Sequence, residues 1–355
     1  MTAHGDEDNG DDDDDAIAVV VVTHQSAGHL PQLIGALAGQ LREDDELVIV
    51  DNASTDETPA LARGLDARLR VIETGANLGF AGGANVGAQA TVAPLLLLLN
   101  PDARPAPDCL ARLRRAAGEH PRWGAWQAAV LIDEHTINTS GGVVHYLGIG
   151  WAGDCGRPAT ALPGEDREIA TPSGAALMVR RGDWLALGGM KGEYFMYSED
   201  LDLGLRLWLA GRRVGIVPGA RVLHSYEFDK GPYKWFWMER NRWRTVLSVY
   251  PAALLALLAP ALLAAELGLL ALAARQGWLA PKLRAQAATI ADLPQTLGRR
   301  REAQRARRIG AREFADHLSA SLDSPYLTAA HTPLLRVPQA CYWMLVRRAL
   351  ALLAG

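Results

Sequence analysis

Three of the four residues at 199–202 are carboxylates, and an aromatic, apolar run at 194–197 precedes them closely. Such a run removes water from a neighbouring carboxyl group, and desolvation raises a carboxyl pKa towards the range of a general base. Glu199 and Asp200 are therefore candidates for proton transfer. Carboxylates at the start of a helix also complement the helix dipole, so a purely structural role stays open from these residues alone.

Polar or glycine-rich segments follow four apolar runs nearer the N-terminus. They are Thr23-His24-Gln25, Asp51-Asn52, the stretch at 77–83 and Asn100-Pro101-Asp102. Ligands of an open parallel sheet gather at the carboxyl ends of its strands. Four such corners in register therefore predict one ligand crevice.

Each corner has a chemical use. The Asp51 carboxylate can accept a hydrogen bond from a base N–H. Gly79 and Gly82 let the backbone approach a ligand, and they lie at the start of a helix whose N-terminus attracts phosphate. Asp102 offers an oxygen ligand to Mg²⁺ or Mn²⁺, and His224 offers a nitrogen to the same ion. Packing glycines, a turn aspartate and a structural histidine remain the alternatives.

The order of apolar and polar segments predicts the elements that position these residues. Strands are expected at 16–23, 46–50, 68–73 and 95–99, with helices at 29–40, 55–64 and 80–90 between them. This alternation predicts an α/β fold with a doubly wound, mostly parallel sheet. Beyond residue 123 we expect short strands, then a strand at 171–180, a helix at 201–210 and a strand at 213–218.

Taken in order, these motifs resemble those of the family-2 glycosyltransferases, inverting enzymes with the Rossmann-like GT-A fold. The resemblance runs from about Ile17 to Arg244, which is most of the chain. The Asn-Leu-Gly-Phe segment at 77–80, combined with Asn-Pro-Asp at 100–102, resembles the rhamnosyltransferase-like branch of that family.

The resemblance implies roles for particular residues. Asp51 is expected to read the nucleotide base, Asp200 to act as the catalytic base beside Glu199, and Asp102 and His224 to hold a divalent cation. Gly174 lies in a small-residue segment that usually lines the acceptor or donor pocket. The residues expected to bind the nucleotide-diphospho-sugar donor are Thr23, Asp51, Asn52, Asn77, Gly79, Gly82 and Asn100.

Two positions depart from the family pattern. Asn100 stands where the first acid of the Asp-x-Asp metal motif is expected, which weakens the case for tight metal binding. The Gln-x-x-Arg-Trp signature of processive synthases is replaced by Glu239-Arg240-Asn241-Arg242-Trp243. We therefore expect one sugar to be added per acceptor visit.

The expected reaction is a single displacement with inversion, in which rhamnose or a similar sugar moves to a hydroxyl of a lipid-linked or cell-envelope polysaccharide acceptor. A sugar nucleotidyltransferase is an alternative, but the segment after the first strand lacks the Gly-rich, Arg/Lys-containing loop of those enzymes. A non-catalytic membrane scaffold on a transferase fold is a second alternative, and the retained Asp51, Asp102 and Asp200 argue against it.

Composition separates three regions of the 355-residue chain, whose formal net charge is −4. Residues 1–15 are expected to be a disordered acidic leader without signal-peptide features, so the chain should begin in the cytoplasm. Residues 16–244 form the predicted GT-A domain, and 245–355 a helical membrane-association region. Three widely spaced cysteines fit a reducing compartment. The six arginines in 299–308 suit anionic lipid, and no nucleic-acid recognition motif accompanies them.

Residues 247–274 contain a single charge, Glu266, and are long enough for a membrane span. Basic residues on both sides favour a re-entrant or interfacial hairpin that breaks near Pro260, with the tryptophans at 235–243 as an interfacial belt. A full span and a buried soluble hairpin are the alternatives. Residues 332–353 predict a basic amphipathic helix. We expect the protein at the cytoplasmic face of the membrane, on an anionic lipid surface, and leave homo-oligomerisation open.

Overall fold

The computed structural model describes residues 15–224, 233–323 and 333–354. The strands are β1 (Ile17–Thr23), β2 (Glu46–Asp51), β3 (Leu69–Glu73), β4 (Leu95–Leu99), β5 (Ala103–Pro105), β6 (Trp123–Asp133), β7 (Thr136–Thr139), β8 (Gly142–Val144), β9 (Gly150–Ala152), β10 (Arg167–Glu168), β11 (Ala176–Arg180) and β12 (Arg213–His224). The expected leader, apart from residue 15, lies outside the described residues.

The helices lie between and after these strands. They are α1 (Leu30–Leu37), α2 (Thr58–Leu65), α3 (Gly79–Gln89), α4 (Cys109–Glu119), α5 (Arg181–Ala186), α6 (Glu199–Leu209), α7 (Tyr233–Val249), α8 (Ala252–Gln276), α9 (Leu279–Ala291), α10 (Leu293–Ala306), α11 (Ala311–Ala315) and α12 (Pro333–Ala354). All four expected N-terminal strands form.

The central sheet has the strand order β10-β12-β6-β11-β4-β1-β2-β3. Strands β4, β1, β2 and β3 are parallel, whereas β11 runs antiparallel between β4 and β6. Thr23 lies opposite Asp51 in the register of β1 and β2. The carboxyl ends of these strands therefore meet at one edge, and the predicted mostly parallel α/β sheet is confirmed.

The β-branched run of β1 is buried on both of its faces. Ile17, Val19 and Val21 pack with α1 and α4, whereas Ala18 and Val20 pack with α3 on the opposite side. A strand that is covered on both faces has no position for a polar side chain before its end. The first polar side chain of β1, Thr23, therefore appears at the sheet edge.

Helix α3 approaches the sheet closely because its inner face is built of glycine. A Cβ on Gly83 would lie 2.5 Å from Val22, and one on Gly87 would lie 2.2 Å from Val20. At the start of the helix, Gly79 has a φ of +69° and its Cα faces Phe195, whose carbonyl oxygen would lie 2.3 Å from a Cβ. The glycines thus bring α3 against both the sheet and the segment before α6.

The apolar stretch forms one continuous helix rather than a hairpin that breaks at Pro260. The chain turns at Pro251, which precedes α8, and α8 then runs through Pro260 to Gln276. Pro260 lies on the exposed face of the helix, where the loss of one backbone hydrogen bond is tolerated. Gly277, with a φ of +79°, ends the helix, and α9 packs back against α8.

A buried ionic network joins α7, α8 and α9. Glu266 of α8 accepts hydrogen bonds from Arg242 at 2.7 Å and from Lys282 at 2.8 Å, and Lys282 also contacts Glu239. Lys282 is fully buried, and these two carboxylates are its ion-pair partners. Removing one partner of such a buried pair typically costs about 3–5 kcal/mol. The single charge of the apolar stretch therefore fixes α8 to α7.

Several basic and aromatic residues that were expected to flank a membrane segment are used inside the protein. Arg244 donates to the Glu193 carbonyl at 2.8 Å, and Arg300 donates to the Leu247 and Tyr250 carbonyls. The tryptophans pack internally as well: Trp237 on Phe195, Trp235 on Trp278, and Trp243 against Glu266. All three tryptophans are only half-buried, so the aromatic belt stays a prediction. The division predicted at residue 244 falls within α7.

The contact between Gly79 and Phe195 gives a prediction with a matched control. Gly79→Ala should destabilise the protein more than Gly75→Ala, because both glycines have a positive φ but only Gly79 faces other atoms. The backbone conformation should cost each variant about 1–2 kcal/mol. The clash should cost Gly79→Ala about 1–3 kcal/mol more. Urea unfolding measures both, and equal losses would show that α3 does not press on Phe195.

Candidate functional site

The first corner of the site joins the ends of β1 and β2. Asp51 is 1% exposed, and its Oδ1 accepts hydrogen bonds from Thr23 Oγ1 at 3.1 Å and Ser54 Oγ at 2.5 Å. Its Oδ2 accepts from the Ser54 backbone at 2.9 Å. These donors fix the carboxylate as an acceptor whose remaining lone pairs can receive a ligand N–H. Ser54 is the member of this corner that was not among the predicted site residues.

The second corner is tied to the first through side-chain amides. Asn52 Nδ2 donates to the Gly79 carbonyl at 2.9 Å, and Asn77 Oδ1 accepts from the Gly79 backbone N–H at 2.9 Å. The space beside Gly82 is occupied by Leu78, whose Cβ would lie 2.6 Å from an added Cβ. The structure thus brings Asn52, Asn77 and Gly79 together, while Gly82 makes room for packing.

The third corner brings Asn100 and Asp102 to His224. Strand β5 follows Asp102 and pairs with the end of β12, which places His224 opposite Ala103. His224 Nε2 lies 3.1 Å from Asp102 Oδ1 and 3.1 Å from Asn100 Nδ2. Two neighbouring ligands of a magnesium-sized ion, each about 2.1 Å from the metal, are about 3 Å apart. The Asp102–His224 pair therefore fits one divalent cation.

Electrostatics keep Asp102 in the ligand form. Burial by itself raises the pKa of the Asp102 carboxyl, but the hydrogen bond and charge of His224 outweigh it, so the pKa lies below its ordinary value. The carboxyl group is 30% exposed, so a ligand can reach it. Asn100 contributes a side-chain amide to this corner. The orientation of the amide decides whether its nitrogen or its oxygen faces the site.

The fourth corner is the first turn of α6. Asp200 Oδ2 accepts from the Gly174 backbone N–H at 2.8 Å, and Asp200 Oδ1 accepts from the Leu201 N–H at 2.7 Å. Next to Gly174, the Ala175 carbonyl accepts from the Asn100 N–H at 3.2 Å. The carboxylate of Asp200 and the corner at Asn100 are therefore joined through two consecutive backbone residues.

Burial raises the pKa of both carboxyl groups in this turn. For Glu199 the neighbouring charge of Asp200 raises the pKa further, well above its ordinary value. The Glu199 side chain is buried, and its Oε2 has no hydrogen-bond partner in the described part of the chain. Asp202 differs, because Arg206 pairs with it at 2.6 Å and Tyr194 donates to it at 3.1 Å. Asp202 therefore has a structural role.

Two further residues lie next to the partners of the acidic turn without having been predicted as site residues. Phe80 packs beside Gly174, where its ring would lie 2.8 Å from an added Cβ. Asn241 of α7 donates to three backbone carbonyls in the segment before α6. Phe80 lies within the Asn-Leu-Gly-Phe motif, and Asn241 within Glu-Arg-Asn-Arg-Trp. Both motifs match family signatures in part, but the sequence does not show which atoms these two side chains contact.

Two family models match this chain. The family model Glycosyl transferase family 2 matches residues 18–146, and Glycosyl transferase family group 2 matches residues 95–281, more than half of the chain. The N-acetylglucosaminyl-diphospho-decaprenol L-rhamnosyltransferase of Mycobacterium tuberculosis is 32% identical over 233 residues, which cover 59% of this chain and 76% of that protein.

Solved structures share the fold. A structure of GalNAc-T7 with UDP, GalNAc and Mn²⁺ has a TM-score of 0.52 and 18% identity, covering 66% of this chain and 48% of that one. A structure of S. aureus TarS 1-349 in complex with UDP has a TM-score of 0.50 and 16% identity, covering 94% and 90%. At these identities the likeness concerns the fold alone. By sequence and fold together, this chain belongs to the family-2 glycosyltransferases, as a transferase enzyme with the GT-A fold in their rhamnosyltransferase-like branch.

Proposed function

We propose that this chain transfers rhamnose or a similar sugar from a nucleotide-diphospho-sugar to a hydroxyl of a lipid-linked or cell-envelope polysaccharide acceptor, with inversion. The observation that carries the proposal is the placement of Asp200. Its carboxylate is held by the Gly174 N–H and is joined through residues 174–175 to the corner of Asn100, Asp102 and His224. A base that is linked in this way to the proposed diphosphate site suits a displacement reaction at the sugar, which would lie between the two.

Asp200 is proposed as the base that removes the proton from the acceptor hydroxyl. Its backbone hydrogen bonds keep it oriented, and burial raises its pKa towards the range where a carboxylate accepts a proton readily. Glu199, beside it, is proposed to keep the local charge low by holding its proton, since its pKa is raised further. The acceptor oxygen then attacks one face of the sugar as the diphosphate leaves from the other.

The donor is proposed to lie along the edge formed by β1, β2 and β4. Asp51, with Thr23, would accept a hydrogen bond from the base, and Asn52, Asn77 and Gly79 would line the path towards the diphosphate. Support comes from the register that sets Thr23 beside Asp51 and from the 2.9 Å bond between Asn52 and Gly79. Gly82 and Asn100 are the remaining residues of the proposed donor site. Gly82 contributes indirectly, through the packing of α3.

Asp102 and His224 are proposed to hold Mg²⁺ or Mn²⁺ when the donor binds. Their 3.1 Å separation suits neighbouring ligands of one ion, to which Asp102 would offer a carboxylate oxygen and His224 a ring nitrogen. A divalent cation at this place would neutralise charge on the departing diphosphate. Asn100 is neutral where the family pattern has an acid, so these two side chains carry the protein's share of the binding.

The acceptor is proposed from the M. tuberculosis relative, whose name describes transfer to N-acetylglucosaminyl-diphospho-decaprenol. An acceptor of that type would present its sugar hydroxyl near a bilayer surface. Of the sixteen large apolar side chains that are exposed in the described part of the chain, eleven lie between residues 263 and 353. These exposed side chains of the C-terminal helices, here called the apolar surface, support recognition of a lipid-linked glycan.

We propose that this surface lies on the cytoplasmic leaflet without crossing it. Helix α8 is long and apolar enough to cross a membrane by length and composition. However, Glu266 binds it to Arg242 and Lys282, so one side of the helix is occupied by protein. Exposed arginines of α10 and α12 can contact anionic lipid. The free cysteines Cys109, Cys155 and Cys341 fit a reducing compartment.

The base assignment predicts the behaviour of Asp200→Asn. This variant should bind the nucleotide sugar with unchanged affinity and lose transfer by a factor of about 10²–10⁴, the range attributed to general base catalysis. Its unfolding midpoint at neutral pH should not fall, because a buried charge is removed. In the wild type, kcat/KM should decline as pH falls through the raised pKa of Asp200. Near-normal turnover by Asp200→Asn would contradict the assignment.

The cation assignment predicts a change in metal dependence. Asp102→Ala and His224→Ala should each raise the Mn²⁺ concentration for half-maximal transfer by about tenfold or more, since each removes one ligand. Asp108→Ala is the matched control, because Asp108 is exposed and pairs only with Arg112 in the described structure. Titration of chelator-treated enzyme with Mn²⁺ gives the values. Full activity of the wild type in excess chelator would refute the assignment.

The membrane assignment predicts the effect of polar substitutions on α8. Leu263 and Leu267 are 65% and 62% exposed, and burying each leucine contributes about 1.5–3 kcal/mol. The double variant Leu263→Ser/Leu267→Ser should therefore bind vesicles of anionic phospholipid at least about a hundredfold more weakly. Leu185→Ser, at a site 50% exposed on α5, should bind like the wild type. Co-sedimentation measures this, and equal binding by all three would count against the surface.

A further inference from the structure

The segment that leads into the acidic turn has an unusual backbone. Phe195 has φ 65° and ψ −65°, and the Met196 N–H donates to the Tyr194 carbonyl at 2.7 Å, which defines a strained γ-turn. Tyr197 and Ser198 follow with φ near 66°. None of the three is glycine, and each such conformation costs on the order of 1–3 kcal/mol. Contacts from the surrounding protein must therefore hold the segment 194–198 in place.

One buried side chain supplies many of these contacts. Asn241 of α7 is 0% exposed, and its Nδ2 lies 3.0 Å from the Tyr194 carbonyl, 3.0 Å from that of Met196 and 2.8 Å from that of Tyr197. Two amide hydrogens thus serve three acceptors. Asn241 Oδ1 accepts from Arg240 Nε at 3.2 Å, so the orientation of the amide is determined by its neighbours.

Neighbouring residues of α7 extend the same contact. Arg240 and Arg244 both donate to the Glu193 carbonyl, and Thr245 Oγ1 lies 2.9 Å from the hydroxyl of Tyr194. From the opposite side, the Ala81 N–H approaches the Phe195 carbonyl at 3.4 Å. The segment is therefore enclosed between α7 and the start of α3, which carries the proposed donor corner.

We propose that Asn241 is a positioning residue for the base, holding the segment 194–198 so that Asp200 faces the acceptor hydroxyl. This inference rests on the proposed function of Asp200. The segment ends at Ser198, whose carbonyl accepts from the Asp202 N–H at 2.9 Å and so begins α6. A change in the path of 194–198 moves the first turn of α6 directly. A displacement of about 1 Å at a reacting group can cost about a hundredfold in rate.

The amide is suited to this task by its chemistry. The three carbonyls are acceptors, and a buried carbonyl without a donor costs about 1–3 kcal/mol. Alanine would leave all three without this donor. Glutamine keeps the NH₂ group but moves it by one methylene, so it should restore part of the arrangement. Hence loss and partial rescue can be compared at one position.

The experiment uses the full-length enzyme and two variants of one helix. Asn241→Ala should lower kcat by about a hundredfold while the affinity for the nucleotide sugar changes by less than about threefold. Ser248→Ala is the matched control, because Ser248 is buried on α7 and donates to the Arg244 backbone carbonyl at 2.6 Å, but among the described residues makes no hydrogen bond to the segment 194–198. It should keep kcat within about twofold. Circular dichroism and the unfolding midpoint show whether each variant folds.

The pH profile separates positioning from a general loss of structure. In Asn241→Ala, water should reach the acidic turn, so the acidic limb of kcat should move to lower pH, because hydration lowers a carboxyl pKa. Ser248→Ala should leave the limb unchanged. If Asn241→Ala does not fold, Asn241→Gln becomes the test, with an expected loss of about tenfold and a smaller shift of the limb.

The outcomes distinguish this inference from the function on which it depends. An inactive Asp200→Asn combined with normal kcat and an unmoved limb in the folded Asn241 variant would overturn the positioning role alone. An active Asp200→Asn would overturn the base assignment, and with it this inference. Equal losses of kcat in Asn241→Ala and Ser248→Ala would assign the effect to the stability of α7 and would also overturn it.

Discussion

The hydrogen bond from the Gly174 N–H to the Asp200 carboxylate connects the parts of the site. It attaches the first turn of α6 to the segment before β11, and β11 is the strand that pairs with β4. The adjacent Ala175 carbonyl accepts a hydrogen bond from the Asn100 N–H. The contact to Asp200 and the contact to the corner of Asn100 and Asp102 are therefore one backbone residue apart. Because Gly174 has no side chain, the carboxylate can reach its N–H beside the ring of Phe80. The sheet thereby sets the spacing of the proposed base and metal residues.

The acidic turn is kept in a state that the chain alone would not favour. Burial raises the pKa of Asp200 and of Glu199, so the ionised pair opposes folding at pH values above those raised pKa values. That opposition disappears as the pH falls and the carboxyls take up protons. The backbone of 195–198 adds further strain. The buried carboxyl groups and the strained backbone both need rigid surroundings. Contacts from α3, α7 and the segment before β11 provide them.

The sequence predicted the corners of the site because the residues that form them are local to their strands. An apolar run buried on both faces, such as β1, has to end where a polar residue appears, so Thr23 and Asp51 could be placed at the sheet edge. Asn241 could not be found in this way. Its role depends on contacts with residues 44 to 47 positions earlier in the chain, and no local pattern reports these.

The break expected at Pro260 failed for a related reason: local propensity marks where a helix is weakened, whereas packing decides whether it continues. Leu254, Leu258 and Leu262 lie in one buried cluster with residues of α7, α11 and α12, and this packing keeps α8 helical beyond the proline. Two adjacent residues of α7 make contacts in different directions. Asn241 contacts the segment before the acidic turn, and the adjacent Arg242 binds Glu266 of α8. Helix α7 thus contacts the segment before α6 and the helix α8 through consecutive side chains, so the position of one is fixed relative to the other.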